Sequence, residues 1–223
     1  MSRFDTILFD LDGTLIDTIA DLADATEATL REMGRGDGTD APIHSLDRYR
    51  LFVGNGGRKL VERAMGEGST PAEVDSAFAR FLEIYDRNFC VKTAPYDGIY
   101  DLLNELVKRG YKLGIVTNKP ELQARKLAEQ FFDTYPFGCV YGGSVEGRPH
   151  KPDPQVVQLA LRDLNATAEK TLFVGDSNVD IFTGHNAGMV AAGAVWGFRG
   201  EQELRDAGAD ILIDHPLDLL QYL

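Results

Sequence analysis

The first residues able to do chemistry are two aspartates, Asp10 and Asp12, in the run FDLDGTL that follows the apolar stretch Thr6 to Phe9. Carboxylates this close raise one another's pKa, so the pair is tolerable when a divalent cation neutralises one and the other carries a proton. That permits a division of labour. One carboxylate attacks phosphorus, while the other protonates the leaving oxygen and later activates water. Gly13 allows the tight exit through which backbone groups approach a ligand. Taken alone, D-x-D-G reads first as a turn or a cap.

Three further polar clusters have the same placement. In GIVTNKP, Thr117 and Asn118 follow an apolar run and offer a hydroxyl and an amide suited to phosphoryl oxygens. In RPHKPDP, Lys151 supplies a point charge between stiffening prolines, with Asp153 as a helix N-cap and Pro154 at the first helical position. In FVGDSNVD, Asp176 follows Gly175, and Asp180 lies one helical turn on, on the same face. Such oxygen ligands suit magnesium, which prefers octahedral coordination and is held by one or two carboxylates plus substrate phosphate. The competing reading of Asp180 is a cap or ion pair on its own helix.

The elements that must position these residues follow from the pattern. Thr6 to Phe9 reads as a buried parallel strand. From Asp97 onward, helices and strands alternate: strands at Lys112 to Thr117, Gly138 to Tyr141, Thr171 to Val174, Val190 to Trp196 and Asp210 to Ile213 are separated by helices. This alternation argues for an α/β core, a Rossmann-like doubly wound parallel sheet whose ligand site lies at the carboxyl ends of its strands. Between the first strand and that series stand only helical segments: Ile19 to Leu30, Ser45 to Phe52, Arg58 to Met65 and Pro71 to Asn88. The expected organisation is a core of residues 1–16 and 91–223 with a small helical domain, residues 17–90, inserted after the first strand.

Composition narrows the function classes. With 23 basic against 35 acidic residues, a net charge of -12 repels nucleic acid and anionic membranes, so neither is expected as a partner. Cys90 and Cys139 lack any C-x-x-C spacing, which fits a reducing compartment and offers no zinc site. His44, His150, His185 and His215 have no metal-ligand spacing. The start of the chain lacks the unbroken apolar run of a signal peptide, and no stretch approaches the roughly 20 apolar residues of a membrane span. The expectation is a cytoplasmic protein, monomer or homodimer.

FDLDGT, VTNK, HKPDP and GDSNVD, in this order and spacing, resemble the four motifs of the haloacid dehalogenase superfamily of phosphotransferases. The resemblance spans essentially the whole chain and is nearest to bacterial phosphoglycolate phosphatases, with LFVGNGGRKLVERAM similar to their cap-domain specificity segment. It implies a magnesium-dependent hydrolase of a small phosphate ester such as 2-phosphoglycolate. Asp10 would be the nucleophile and Asp12 the acid and base. Magnesium would be held by the Asp10 carboxylate, the Asp12 carbonyl and Asp176, with Asp180 in support. Thr117, Asn118 and Lys151 would hold the phosphoryl group, and the inserted helices would form a cap that excludes water.

In the cap, Gly54, Asn55 and Gly56 read from composition as a turn, and only the resemblance makes them substrate-binding. Arg58 and Lys59 read as solvated helix charges or as partners for a substrate carboxylate. Phe78, Phe81 and Tyr85 form a stripe read as the cap's own core. An aspartate at position 12 argues against carbon–halogen and carbon–phosphorus cleavage, and the lack of histidine from Ile19 to Ala25 argues against a sugar phosphomutase. Pyrophosphatase or nucleotidase activity and a catalytically silent binding module are the other readings.

Overall fold

The run TILF forms β1 (Thr6–Phe9), every residue of which is buried because strands flank it and helices cover both faces. The computed structural model describes residues 3–223. After β1 comes the two-residue β2 (Ile16–Asp17), then helices α1 (Ile19–Glu32), α2 (Leu46–Phe52), α3 (Gly57–Met65) and α4 (Pro71–Asn88). The chain returns through β3 (Ala94–Pro95) to α5 (Ile99–Lys108), β4 (Lys112–Pro120), α6 (Glu121–Phe132) and β5 (Phe137–Gly143). It closes with α7 (Gln155–Asp163), β6 (Thr171–Gly175), α8 (Asn178–Asn186), β7 (Val190–Ala194), α9 (Gly200–Asp206) and β8 (Ile211–Ile213). Among the described residues, no helix is long and apolar enough to cross a membrane.

Six strands make one parallel sheet in the order β5-β4-β1-β6-β7-β8. From β1 the chain winds outward to β4 and β5, then returns to β6 on the other side. The strand order therefore reverses around β1, and the crevice at such a reversal is where open α/β sheets bind ligands. The α/β expectation from alternating helices and strands holds, with most boundaries within a residue or two. One detail differs: Pro154 occupies the N-cap position and the helix begins at Gln155, whose N–H is accepted by Asp153 Oδ1 at 2.9 Å.

The apolar residues sort into separate clusters. Ile7, Phe9, Leu103, Ile115, Leu127 and Val174 belong to the cluster on one face of the sheet. Leu22, Leu30, Tyr49, Val61, Phe81 and Tyr85 belong to another, built by the four inserted helices. Val74, Ala77, Phe81 and Tyr85 recur at helical spacing along α4 and form its buried stripe. A capping box between Thr70 and Glu73, with Pro71 in the first turn, fixes where that helix starts.

Where the inserted helices join the sheet, β2 pairs antiparallel with β3, Ile16 opposite Pro95 and Asp17 opposite Ala94. Sequence reading finds no strand here, because two residues carry no periodicity. Asp21 on α1 is 3% exposed and reinforces the junction by accepting the backbone N–H groups of Lys92 and Thr93 and the Thr93 hydroxyl, at 2.7–3.0 Å. A second tie comes from Arg199, whose Nη2 donates to the carbonyls of Leu51 and Val53 at 3.1 and 2.7 Å. Asp21→Ala removes an acceptor of the buried Thr93 N–H and is expected to cost about 2–4 kcal/mol. Urea unfolding checks this; a loss below about 0.5 kcal/mol would show that the junction does not depend on Asp21.

Candidate active site

Three strand ends, a loop and the start of a helix deliver the polar residues to one crevice. Asp10 follows β1, Thr117 and Asn118 lie in the last part of β4, and Asp176 follows β6. Lys151 arrives from the loop before α7, and Asp180 from the first turn of α8. Asp10, Asp176 and Asp180 are each under a tenth exposed, and one oxygen from each lies within 4.8 Å of the others. Asp12 stands beside this cluster, on the side of the inserted helices.

Lys151 is the cation of the cluster. Its Nζ lies 2.9 Å from Asp10 Oδ1 and 2.6 Å from Asp180 Oδ1, with the side chain 1% exposed. Three buried carboxylates against one ammonium leave an excess of negative charge in a region of low dielectric. Burial pushes Asp10 up to about 6, with Lys151 opposing it. Burial and then the charges of Asp180 and Asp10 push Asp176 well above the usual carboxylate range. Asp10 Oδ1 has no hydrogen bond of good geometry despite the nearby lysine, so a buried carboxylate oxygen is short of a partner. Converging acidic oxygens with unmet charge fit a hard divalent cation.

The supporting contacts are specific. Asp180 Oδ2 accepts from the Ser177 N–H at 3.0 Å and its hydroxyl at 2.6 Å. Asp180 thus caps its helix and pairs with Lys151 while standing in the acidic cluster, so the capping role and the site role coexist. Asp176 Oδ2 accepts the Phe198 N–H at 2.7 Å. A Cβ on Gly13, which sits at φ +84°, would fall 2.4 Å from that same oxygen. Only glycine lets the chain leave β1 this close to Asp176.

Asp12 is held from two sides: Thr18 Oγ1 donates to its Oδ1 at 2.8 Å, and Lys119 Nζ lies 3.1 Å from both oxygens. The amide of Asn118 is fully occupied. Its Oδ1 accepts the Lys151 N–H at 2.8 Å, and its Nδ2 donates to the carbonyls of Lys151 and Gly54 at 3.1 and 3.0 Å. Asn118 therefore fastens the lysine loop to β4 and the inserted helices to the sheet. Thr117, 3% exposed, lines the cavity with its hydroxyl accepting the Lys119 N–H at 3.2 Å.

A cavity enclosing about 510 Å³ of atom-free space, its open mouth included, lies between the strand ends and α3 and α4. Asp10 and Asp12 form its floor, and Leu22, Leu60, Phe81 and Tyr85 give it an apolar wall. Gly54 and Gly56 line it too; a Cβ on Gly56 would meet the His150 ring at 2.8 Å. Other residues singled out from the sequence stand outside the lining. Asn55 Oδ1 accepts from Arg63 at 2.7 Å, Arg58 pairs with Asp75 at 2.7 Å, and Lys59 pairs with Glu62 at 3.0 Å. Residues that sequence reasoning did not assign to the site also appear: Thr18, Lys119, Ser177 and the Phe198 N–H. Lys119 sits within the quoted VTNK motif, so its place after a strand end was a usable signal. Phe198 contributes only backbone and left none.

A family model described as haloacid dehalogenase-like hydrolase matches residues 7–194. A phosphoglycolate phosphatase of Psychrobacter arcticus is 36% identical over 226 residues, covering 97% of this chain and 94% of the relative. An N-acetylmuramic acid 6-phosphate phosphatase of Pseudomonas aeruginosa is 33% identical over 227 residues, covering 99% and 95%. The crystal structure of a protein described as a predicted phosphoglycolate phosphatase from Haemophilus somnus superposes with a TM-score of 0.87 at 28% identity, covering 99% of this chain and 98% of the other. With its reversing parallel sheet, its acidic cluster at the strand ends and these matches, the chain belongs to the haloacid dehalogenase-like hydrolase family that its four motifs indicated.

Proposed function

We propose that the chain is a magnesium-dependent phosphomonoester hydrolase that works through an aspartyl-phosphate on Asp10, with a small carboxylated ester of the 2-phosphoglycolate kind as substrate. The observation that carries this reading is the buried convergence of Asp10, Asp176 and Asp180 at the strand ends, with Lys151 between two of them and Asp12 alongside. The names of the relatives support the substrate class, since both phosphoglycolate and N-acetylmuramic acid 6-phosphate are phosphate esters of acids.

In this mechanism an Asp10 oxygen attacks phosphorus while Asp12 gives its proton to the departing ester oxygen. Asp12, now a carboxylate, takes a proton from the water that attacks the phosphoryl group on Asp10; phosphate leaves and Asp10 is restored. Lys151 holds Asp10 in place and offsets charge on the phosphoryl oxygens, and Thr117 offers its hydroxyl to the same group. Asn118 acts by fixing Lys151. The carboxylates of Asp10 and Asp176, the Asp12 carbonyl and Asp180 would hold magnesium, which supplies positive charge to the transferring phosphoryl group. Residues 17–90 serve as a cap on a core of residues 1–16 and 91–223, a division supported by their separate apolar clusters and the β2–β3 crossing.

Phosphate release from phosphoglycolate, N-acetylmuramic acid 6-phosphate, sugar phosphates, nucleoside monophosphates and pyrophosphate tests the reading directly. Release is expected only with magnesium, fastest on a carboxylated ester, and lowered by at least about 10³-fold in Asp10→Asn. Full activity in that variant would reject Asp10 as nucleophile, and failure on every ester would favour a silent binding module.

The acidic cluster also dictates a pH dependence. Asp10 has a folded-state pKa of about 6, above the ordinary aspartate value, so the folded state binds the extra proton. The stability this contributes is present below about pH 4 and is lost as pH rises through about 6. In chelator, the melting temperature of the wild type is expected to fall relative to Asp10→Asn across that window. Added magnesium should raise the wild-type value more at about pH 7.5 than at about pH 5, because binding to the folded state alone stabilises it and needs ionised ligands. Equal magnesium effects at both pH values would contradict the assignment of this cluster.

A further inference from the structure

The apolar wall of the cavity is interrupted by one polar notch. Lys119 is the one cationic residue among the described residues lining the cavity, and its side chain is 2% exposed. It approaches Asp12 with both distances at 3.1 Å, and its Nζ stands 4.7 Å from the centre of the Tyr85 ring. An ammonium carries three N–H donors, so a two-pronged approach to Asp12 leaves one on the side of the Tyr85 ring.

Tyr85 comes from α4, on the opposite wall, and lines the same cavity. It is 2% exposed, and its hydroxyl makes no hydrogen bond of good geometry among the described residues, although the Lys119 ammonium lies close enough to act on it. A buried hydroxyl of this kind costs free energy unless a ligand completes it. Burial pushes Tyr85 up to about 12, so it is a neutral donor at physiological pH. Burial alone would lower Lys119, but the neighbouring Asp12 carboxylate outweighs it and holds the ammonium charged.

We propose that Lys119 and Tyr85 form the subsite that reads a carboxylate on the leaving group of the substrate, the lysine from the sheet and the tyrosine from the inserted helices. The proposal rests on the phosphatase reading above and deepens it. The Tyr85 O–H and the Lys119 N–H not directed at Asp12 face a cavity whose floor is the phosphoryl site, and both can turn to an anionic acceptor there. Lys119 also touches Asp12, so a carboxylate seated here lies beside the group that must protonate the leaving oxygen. Arg58 and Lys59, the cap cations with the same chemistry, are paired with Asp75 and Glu62 outside the cavity lining. Specificity of this kind is strong because a site built with buried polar groups rejects a ligand that leaves them unmatched.

The test is calorimetric binding of 2-phosphoglycolate and ethyl phosphate, with magnesium, to the Asp10→Asn protein, in which turnover does not interfere. Phosphoglycolate is expected to bind more tightly by at least about tenfold. Adding Tyr85→Phe should shrink that ratio by about threefold to tenfold, and adding Lys119→Gln should bring it close to one. Tyr85→Phe keeps the test valid if the lysine variant folds poorly, because it removes one hydroxyl and no packing. A merely structural role would weaken both esters equally and leave the ratio intact. An intact ratio in both variants, or no preference in the parent protein, overturns the proposal. Phosphate release from the unsubstituted enzyme, measured in parallel, separates the two readings: inactivity on all esters rejects hydrolysis, while the binding ratio alone decides the subsite.

Discussion

Three buried aspartates, two of them paired with one lysine, set the terms for the rest of this molecule. Asp10, Asp176 and Asp180 repel one another where water cannot screen them, and Lys151 answers only part of that charge. Such a cluster is tolerable when the surrounding structure holds each group in place and a cation completes it. The sheet provides the placement. Because strand order reverses around β1, the ends of β1, β4 and β6 lie side by side, and residues distant in sequence meet without long loops. Backbone donors at Ser177 and Phe198 orient two of the carboxylates, and Asn118 orients the lysine.

The inserted helices have their own apolar cluster and meet the sheet through a few directed contacts. The β2–β3 crossing and Asp21 fix the junction, while Arg199 and Asn118 reach from the core to carbonyls of the α2–α3 region. The cavity between the two parts is therefore polar on its floor and apolar on its wall. That division suits an ester whose phosphate is handled by the core and whose remainder is read from above. Exclusion of water by the apolar wall strengthens each interaction between Lys151, the carboxylates and a bound phosphoryl group.

Much of the fold was legible because its signals are local. Buried parallel strands read as short apolar runs, and the polar residues just past them point to a common crevice. The Asp10, Asp12, Lys151, Asp176 and Asp180 set followed from that placement together with the family resemblance. What stayed hidden depends on contacts between distant segments. Two-residue strands have no periodicity, so β2 and β3 left no trace. Tyr85 reads as cap core from its spacing, and it does pack there, but its place beside Lys119 in the cavity depends on a contact between residues far apart in sequence. Asn118 reads as a phosphate ligand by residue type, whereas its amide is occupied by Lys151 and Gly54. Arg58 reads as a substrate cation, but its helix turns it toward Asp75.

Covalent capture of phosphate by Asp10, the carboxylate at the carboxyl end of the central strand, is the step on which the proposed reaction depends. Acid-quenching the enzyme during turnover of a phosphate ester with magnesium, followed by mass spectrometry of its peptides, examines that step directly. Phosphate carried on the peptide containing Asp10, absent from the Asp10→Asn protein and from samples quenched without magnesium, is the predicted result. Rapid turnover with that peptide unmodified at every quench time, or phosphate found on a different residue, would contradict it.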